Sequence, residues 1–148
     1  MGSSTRQGGC QCGKVRYRTK IDPGEAYLCH CRMCQRATGG VSIAYVHLPK
    51  ADLAWDSEPD WFASSPIARR PFCSACGTPL GFAFNESENM DITLGSLDDP
   101  GGLAPQWHFG AESMHEAWLD TSQLPRKKTT DYEPLVEQWI KATGKVPD

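Results

Sequence analysis

The sequence predicts a mainly β fold that ends in one amphipathic α-helix. Three observations carry that prediction. Short stretches of alternating, β-branched or aromatic residues recur along the chain, and Gly, Pro, Asn and Asp clusters cut between them. The tail differs: from Glu133 to Thr143 apolar residues repeat at i, i+4, as Leu135 with Trp139 and Val136 with Ile140.

Taken in order, Gly8 to Gly13 reads as a glycine-bracketed turn around Cys10 and Cys12. Lys14 to Lys20 alternates polar and apolar side chains, which predicts a half-buried strand with Val15 and Tyr17 inward. Asp22-Pro23-Gly24 turns the chain, and Ala26-Tyr27-Leu28 returns as a short strand that delivers Cys29 at its end. Arg32 to Thr38 predicts a short helix stopped by Gly39-Gly40. Val41 to Leu48 carries apolar groups on both faces, as a central strand does. Leu53-Ala54-Trp55 and Trp61-Phe62-Ala63 read as strands on either side of the turn Asp56 to Asp60. Leu80 to Phe84 and Met90 to Leu94 predict a hairpin across Asn85 to Asn89. Asp98 to Gly102 is a loop, and Leu103 to Trp118 gives a mixed signal. The final helix has Asp131 and Glu133 near its start and Gly144 after its end, and its apolar stripe is expected to pack on the sheet.

The bulk numbers set limits. A chain of 148 residues with 39% hydrophobic and 22% charged residues is long enough for one modest core. A net charge of -3 and an isoelectric point near 5.8 argue against a nucleic-acid partner, and Arg126-Lys127-Lys128 is the sole short basic run. No stretch has the apolar length to span a bilayer. The polar start, Met1 to Arg6, lacks the apolar middle of a signal peptide, so the expected location is cytoplasmic. In a reducing cytosol disulfides do not persist, and seven cysteines cannot all pair. Metal ligation is the leading explanation of the thiols.

The cysteines divide by spacing. Cys73-x-x-Cys76-Gly77 has the form of a zinc knuckle, in which Gly77 relieves a left-handed turn. Cys10-x-Cys12-Gly13 supplies a second pair, and together they predict a closed four-thiolate site whose role is folding. Cys29, Cys31 and Cys34 remain as a three-thiolate set. Zinc with three protein ligands and one open position is the catalytic pattern, and the open position suits an incoming thiol. The alternative is a closed second site, with His30, His47, His108 or His115 as fourth ligand. Strand alternation turns His30 away from the ion, which leaves His108 the most plausible of the four.

The segments GGCQCGKVRY, CHCRMCQRATGG, FASSPIARRPFCSACGTPL and DITLGSLDDP resemble the glutathione-dependent formaldehyde-activating enzyme (GFA) family, which also contains centromere protein V. The resemblance runs from about Gly8 to about Trp118. It implies a β-tent (Mss4-like) fold in residues 6–120, with residues 121–148 as a C-terminal tail. It also implies two zinc ions per chain, a structural one at Cys10, Cys12, Cys73 and Cys76 and a catalytic one at Cys29, Cys31 and Cys34. The implied activity is a carbon–sulfur lyase that joins glutathione and formaldehyde as S-(hydroxymethyl)glutathione or separates them, so the partners are a small thiol and an aldehyde. Glutathione carries two carboxylates, which makes Arg32, Arg36, Arg69 and Arg70 the candidate contacts. Trp107 and His108 are candidates to line the pocket. Two other readings use the same thiols, a zinc-thiol carrier or sensor without turnover and a zinc-stabilised scaffold module.

Overall fold

The computed structural model describes residues 2–148 and is mainly β. It divides into two compact units, Met1–His115 and Glu116–Asp148. The first unit holds ten strands and one α-helix in the order β1 (Ser4–Gly9), β2 (Arg16–Ile21), β3 (Ala26–Cys29), α1 (Arg32–Thr38), β4 (Ile43–Pro49), β5 (Leu53–Trp55), β6 (Asp60–Ser65), β7 (Ala68–Phe72), β8 (Gly81–Phe84), β9 (Asn89–Thr93) and β10 (His108–Phe109). They build a three-stranded sheet, β1-β2-β5, and a seven-stranded sheet, β10-β3-β4-β9-β8-β7-β6. All pairings are antiparallel except that of β10 with β3.

The core combines residues from both sheets. Tyr17 and Ile21 of β2 cluster with Val46 and Leu48 of β4, Ala83 of β8, and Met90 and Ile92 of β9. Each of these is at most 3% exposed, and truncating one such aliphatic side chain to Ala costs about 2–5 kcal/mol. The buried Tyr17 hydroxyl is satisfied by Ser96 at 2.7 Å, and Ser96 in turn bonds Thr93. Successive residues of a strand face opposite sides, so the neighbours Tyr45, His47, Phe82 and Asp91 point away from that core.

Several differences from the sequence reading have local causes. Gly8 and Gly9 lie in a strand: the register of β1 with β2 extends through Gly8↔Tyr17 and Gly9↔Arg16, and the turn begins at Cys10. The segments before and after Asp56 to Asp60 are both strands, yet β5 pairs with β2 and β6 with β7, in different sheets. The charged stretch Ala68–Phe72 is itself a strand, because Arg70 is buried while Arg69 faces out. In the second unit α2 (Glu133–Thr143) starts with Pro134 in its first turn and ends at Gly144, φ 75°, whose N–H bonds the Ile140 carbonyl at 2.7 Å.

Candidate functional site

Two turns bring Cys10, Cys12, Cys73 and Cys76 together. The first follows β1, where Gly13 N–H bonds the Cys10 carbonyl at 3.1 Å; the second follows β7, where Gly77 N–H bonds the Cys73 carbonyl at 2.7 Å. Gly13 and Gly77 both sit at φ 81°, the left-handed conformation that closes each turn without a Cβ penalty. Backbone N–H groups point at sulfur, as Val15 N–H does at Cys10 Sγ over 3.2 Å. The Thr78 hydroxyl lies 3.2 Å from Cys76 Sγ, and this contact with the local backbone pulls the Cys76 thiol down to about 5.

Cys29, Cys31 and Cys34 form the second sulfur group. β3 ends on Cys29, Cys31 is the N-cap of α1, and Cys34 lies in the first helical turn with its N–H on Cys31 Sγ at 3.3 Å. Cys29 Sγ lies 3.4 Å from Cys34 Sγ and 3.6 Å from Cys31 Sγ. The contact with Cys34 and then burial raise the Cys29 thiol, while Cys29 and Arg70 lower Cys34. Arg70, 7% exposed, directs Nη2 at Cys34 Sγ (3.3 Å) and Nη1 at the Tyr45 hydroxyl (3.2 Å), with its guanidinium 4.9 Å from the Phe82 ring centre.

The donor sets fit a tetrahedral metal ion. Four sulfurs at about 2.3 Å from one zinc lie about 3.8 Å apart. The measured separations are 3.6 Å for Cys10–Cys12, 3.8 Å for Cys12–Cys73 and 3.4–3.6 Å in the second group. No cysteine among the described residues is in a disulfide, and no histidine nitrogen joins either group. His30, fully buried, instead bonds Ser42 Oγ through Nδ1 (3.0 Å) and His108 Nδ1 through Nε2 (2.8 Å). Burial, and then the neighbouring His108 and His115, lower its imidazole from the usual range.

A cavity of about 490 Å³ opens onto the three sulfurs. Its walls include Tyr27 of β3, Tyr45 and His47 of β4, Arg70 of β7, Phe82 of β8 and Asp91 of β9. Asp91 Oδ1 accepts from His47 Nδ1 at 3.0 Å, and these two residues are cross-strand partners. Burial raises the Asp91 carboxyl above the usual carboxylate range even though His47 and Tyr27 pull the other way. Trp107 lines the cavity, stacked on Tyr27 at 5.1 Å, but His108 does not. Of the four candidate arginines only Arg70 reaches it: Arg69 lies over Trp61 at 4.1 Å and Arg32 bonds Gln35.

Sequence reasoning missed Tyr27, Tyr45, Phe82 and Asp91 as site residues, and it offered His47 as a fourth metal ligand, whereas the structure puts it on the cavity wall, outside the sulfur group. The alternation of β4, β8 and β9 placed them on a common face, but nothing local marks that face as a cavity wall.

The model of the family described as glutathione-dependent formaldehyde-activating enzyme matches residues 5–113. An uncharacterized lyase of Schizosaccharomyces pombe is 29% identical over 83 residues, which is 56% of this chain and 61% of that relative's length. A Rhodobacter sphaeroides protein of known crystal structure aligns with a TM-score of 0.55 at 19% identity, over 69% of this chain and 98% of its own, a likeness of fold.

Proposed function

The chain belongs to the glutathione-dependent formaldehyde-activating enzyme family, and we propose that it is a zinc-dependent carbon–sulfur lyase acting on thiol–aldehyde adducts such as S-(hydroxymethyl)glutathione. The observation that carries this reading is a set of three convergent sulfurs, with no fourth protein ligand among the described residues, facing a walled cavity. Cys10, Cys12, Cys73 and Cys76 would hold one zinc in a closed shell that serves folding. Cys29, Cys31 and Cys34 would hold the second, which when bound supplies Lewis acidity and lowers the pKa of a thiol at its open position.

In the addition direction the S–C bond forms as the carbonyl π bond opens, and the thiol's proton ends on the carbonyl oxygen; cleavage reverses each change. The chain's residues support that exchange in three ways. Arg70 offsets the negative charge of the thiolates through its contact with Cys34. Tyr27 and Phe82 give the cavity aromatic walls beside the sulfurs, where an aldehyde would be held. Asp91 Oδ1 and His47 Nδ1 form a proton-carrying pair on one wall, and His47, 44% exposed against 11% for Asp91, connects it to solvent.

The test is the rate of S-(hydroxymethyl)glutathione formation with purified, zinc-loaded protein. The wild type should exceed the spontaneous rate, and Cys31→Ser should return to it while keeping the fold. A wild type no faster than the uncatalysed reaction refutes the lyase reading.

A further inference from the structure

Charge in the cavity does not match an acidic thiol. Glutathione brings two carboxylates, and such groups are held by free guanidinium or ammonium donors. Arg70 is the one Arg or Lys in the lining, and it is turned to Cys34 and Tyr45. Three thiolates and a divalent ion would sum to one negative charge, and Arg70 balances that sum. The other charged lining residues are the acids Glu25 and Asp91, with His47 bonded to Asp91. A tripeptide carboxylate entering here meets more acids than free cations.

The mouth of the cavity is apolar instead. Met33, Ile67, Phe84, Trp107 and Phe109 all line it, and each is between 41% and 64% exposed. Large apolar side chains are usually scattered on a surface; grouped around one opening above reactive sulfurs, they mark where an apolar group is received. The rings are also ordered, since Trp107 lies within 8° of parallel to Tyr27 and Phe84 packs edge-on against Phe82 at 5.0 Å. Ordered rings lose little conformational freedom when a ligand's arm is laid against them.

We propose that this site prefers a thiol with an aromatic or aliphatic arm and no carboxylate, joined to a small aldehyde, over an acidic peptide thiol. The proposal rests on the Cys29, Cys31 and Cys34 cavity being the substrate site, and it names the class of thiol that site takes. Sulfur lies at the three cysteines, the arm lies along Tyr27 and Trp107, and its end rests among the rim residues.

The probes are benzyl mercaptan and glutathione, each titrated calorimetrically into zinc-loaded protein and each assayed for adduct formation with formaldehyde. Benzyl mercaptan is expected to bind on the order of tenfold more tightly than glutathione, the discrimination one well-placed apolar group gives. Ile67→Arg, which adds a cation at the rim, should shift the ratio of the two affinities toward glutathione. Equal or tighter binding of glutathione to the wild type overturns the proposal, as does failure of benzyl mercaptan to bind. An affinity ratio unmoved by Ile67→Arg also overturns it, because the preference then arises elsewhere. Tighter binding of benzyl mercaptan with no turnover of either thiol upholds the ligand class and sinks the lyase reading instead. Tighter binding and faster turnover of glutathione does the reverse.

Discussion

Loss of a single thiolate at Cys76 should destabilise the fold far more than its packing warrants. Cys76 is only partly buried, and its sulfur sits beside the Thr78 hydroxyl, so a serine fits the same space with a polar neighbour. On packing grounds Cys76→Ser is nearly neutral. As a metal ligand, however, Cys76 closes a site that ties the turn after β1 to the turn after β7, joining segments 61 residues apart. A structural zinc site is worth about 10–16 kcal/mol in small domains. One ligand in four then accounts for about 3–4 kcal/mol, a large part of the roughly 5–15 kcal/mol of net stability of a typical domain. At roughly 2–4 °C per kcal/mol for a chain of this size, the melting temperature should fall by about 6–16 °C. The assay is thermal denaturation of wild type and variant, with and without a chelator, alongside zinc content per chain. The chelator should lower the wild type toward the variant. A Cys76→Ser protein that keeps both its melting temperature and its full zinc content refutes the assignment of this site to folding.

Three further outcomes follow from the same geometry. Replacing Cys29, Cys31 and Cys34 together with Ser should reduce zinc from two ions per chain to one with the fold retained, as read by elemental analysis and circular dichroism; loss of both ions would mean that the two sites are not independent. Arg70→Met should weaken zinc binding at the second site by about 10–100-fold, because outer contacts of ligands tune metal affinity on that scale; competition against a chromophoric chelator measures it, and an unchanged affinity would remove Arg70 from the site. Asp91→Asn should raise the melting temperature at neutral pH and slow adduct formation. The sign follows from burial, which raises the folded-state pKa of Asp91, so its favourable contribution is complete below the unfolded value of about 3.9 and is lost as pH rises through the folded value. The advantage of the Asn variant should therefore shrink as pH falls toward 4, and an advantage that grows there contradicts the cause given.

What could be read from sequence was what local chemistry alone decides. Both α-helices end at glycines with φ of 79° and 75°, Gly39 and Gly144, and this punctuation fixed their limits in advance. The two sulfur groups were legible because metal valence constrains how seven thiols divide. The strands that were missed have no local pattern. β1 carries two glycines and polar side chains, and its pairing with β2 supplies what its sequence does not. β10 is two exposed residues placed by backbone bonds, Leu28 N–H to the Trp107 carbonyl and His30 N–H to the Phe109 carbonyl. Strand character was visible in β5 and β6, but their assignment to separate sheets depends on partners distant in the chain. His30 was correctly turned from the sulfurs by alternation, yet its bond to His108 joins residues 78 apart and left no trace in the sequence.

The apolar character of both faces of β4 has two different causes. Val46 and Leu48 belong to the core between the sheets, whereas Tyr45 and His47 line the cavity at the sulfurs. β8 and β9 divide in the same way, Ala83 and Ile92 toward the core and Phe82 and Asp91 toward the cavity. Register therefore does double duty: a slip of one residue in any of these strands would empty the core and fill the cavity with aliphatic side chains at once. Packing of the core face accounts for stability, but it does not account for an Asp91 carboxyl buried against its charged form, or for Phe84 and Phe109 exposed at the rim. Those residues are unfavourable for the isolated fold, and they converge on the one cavity that holds three sulfurs. That convergence supports the proposed thiol chemistry at this cavity on grounds separate from the resemblance carried by the cysteines.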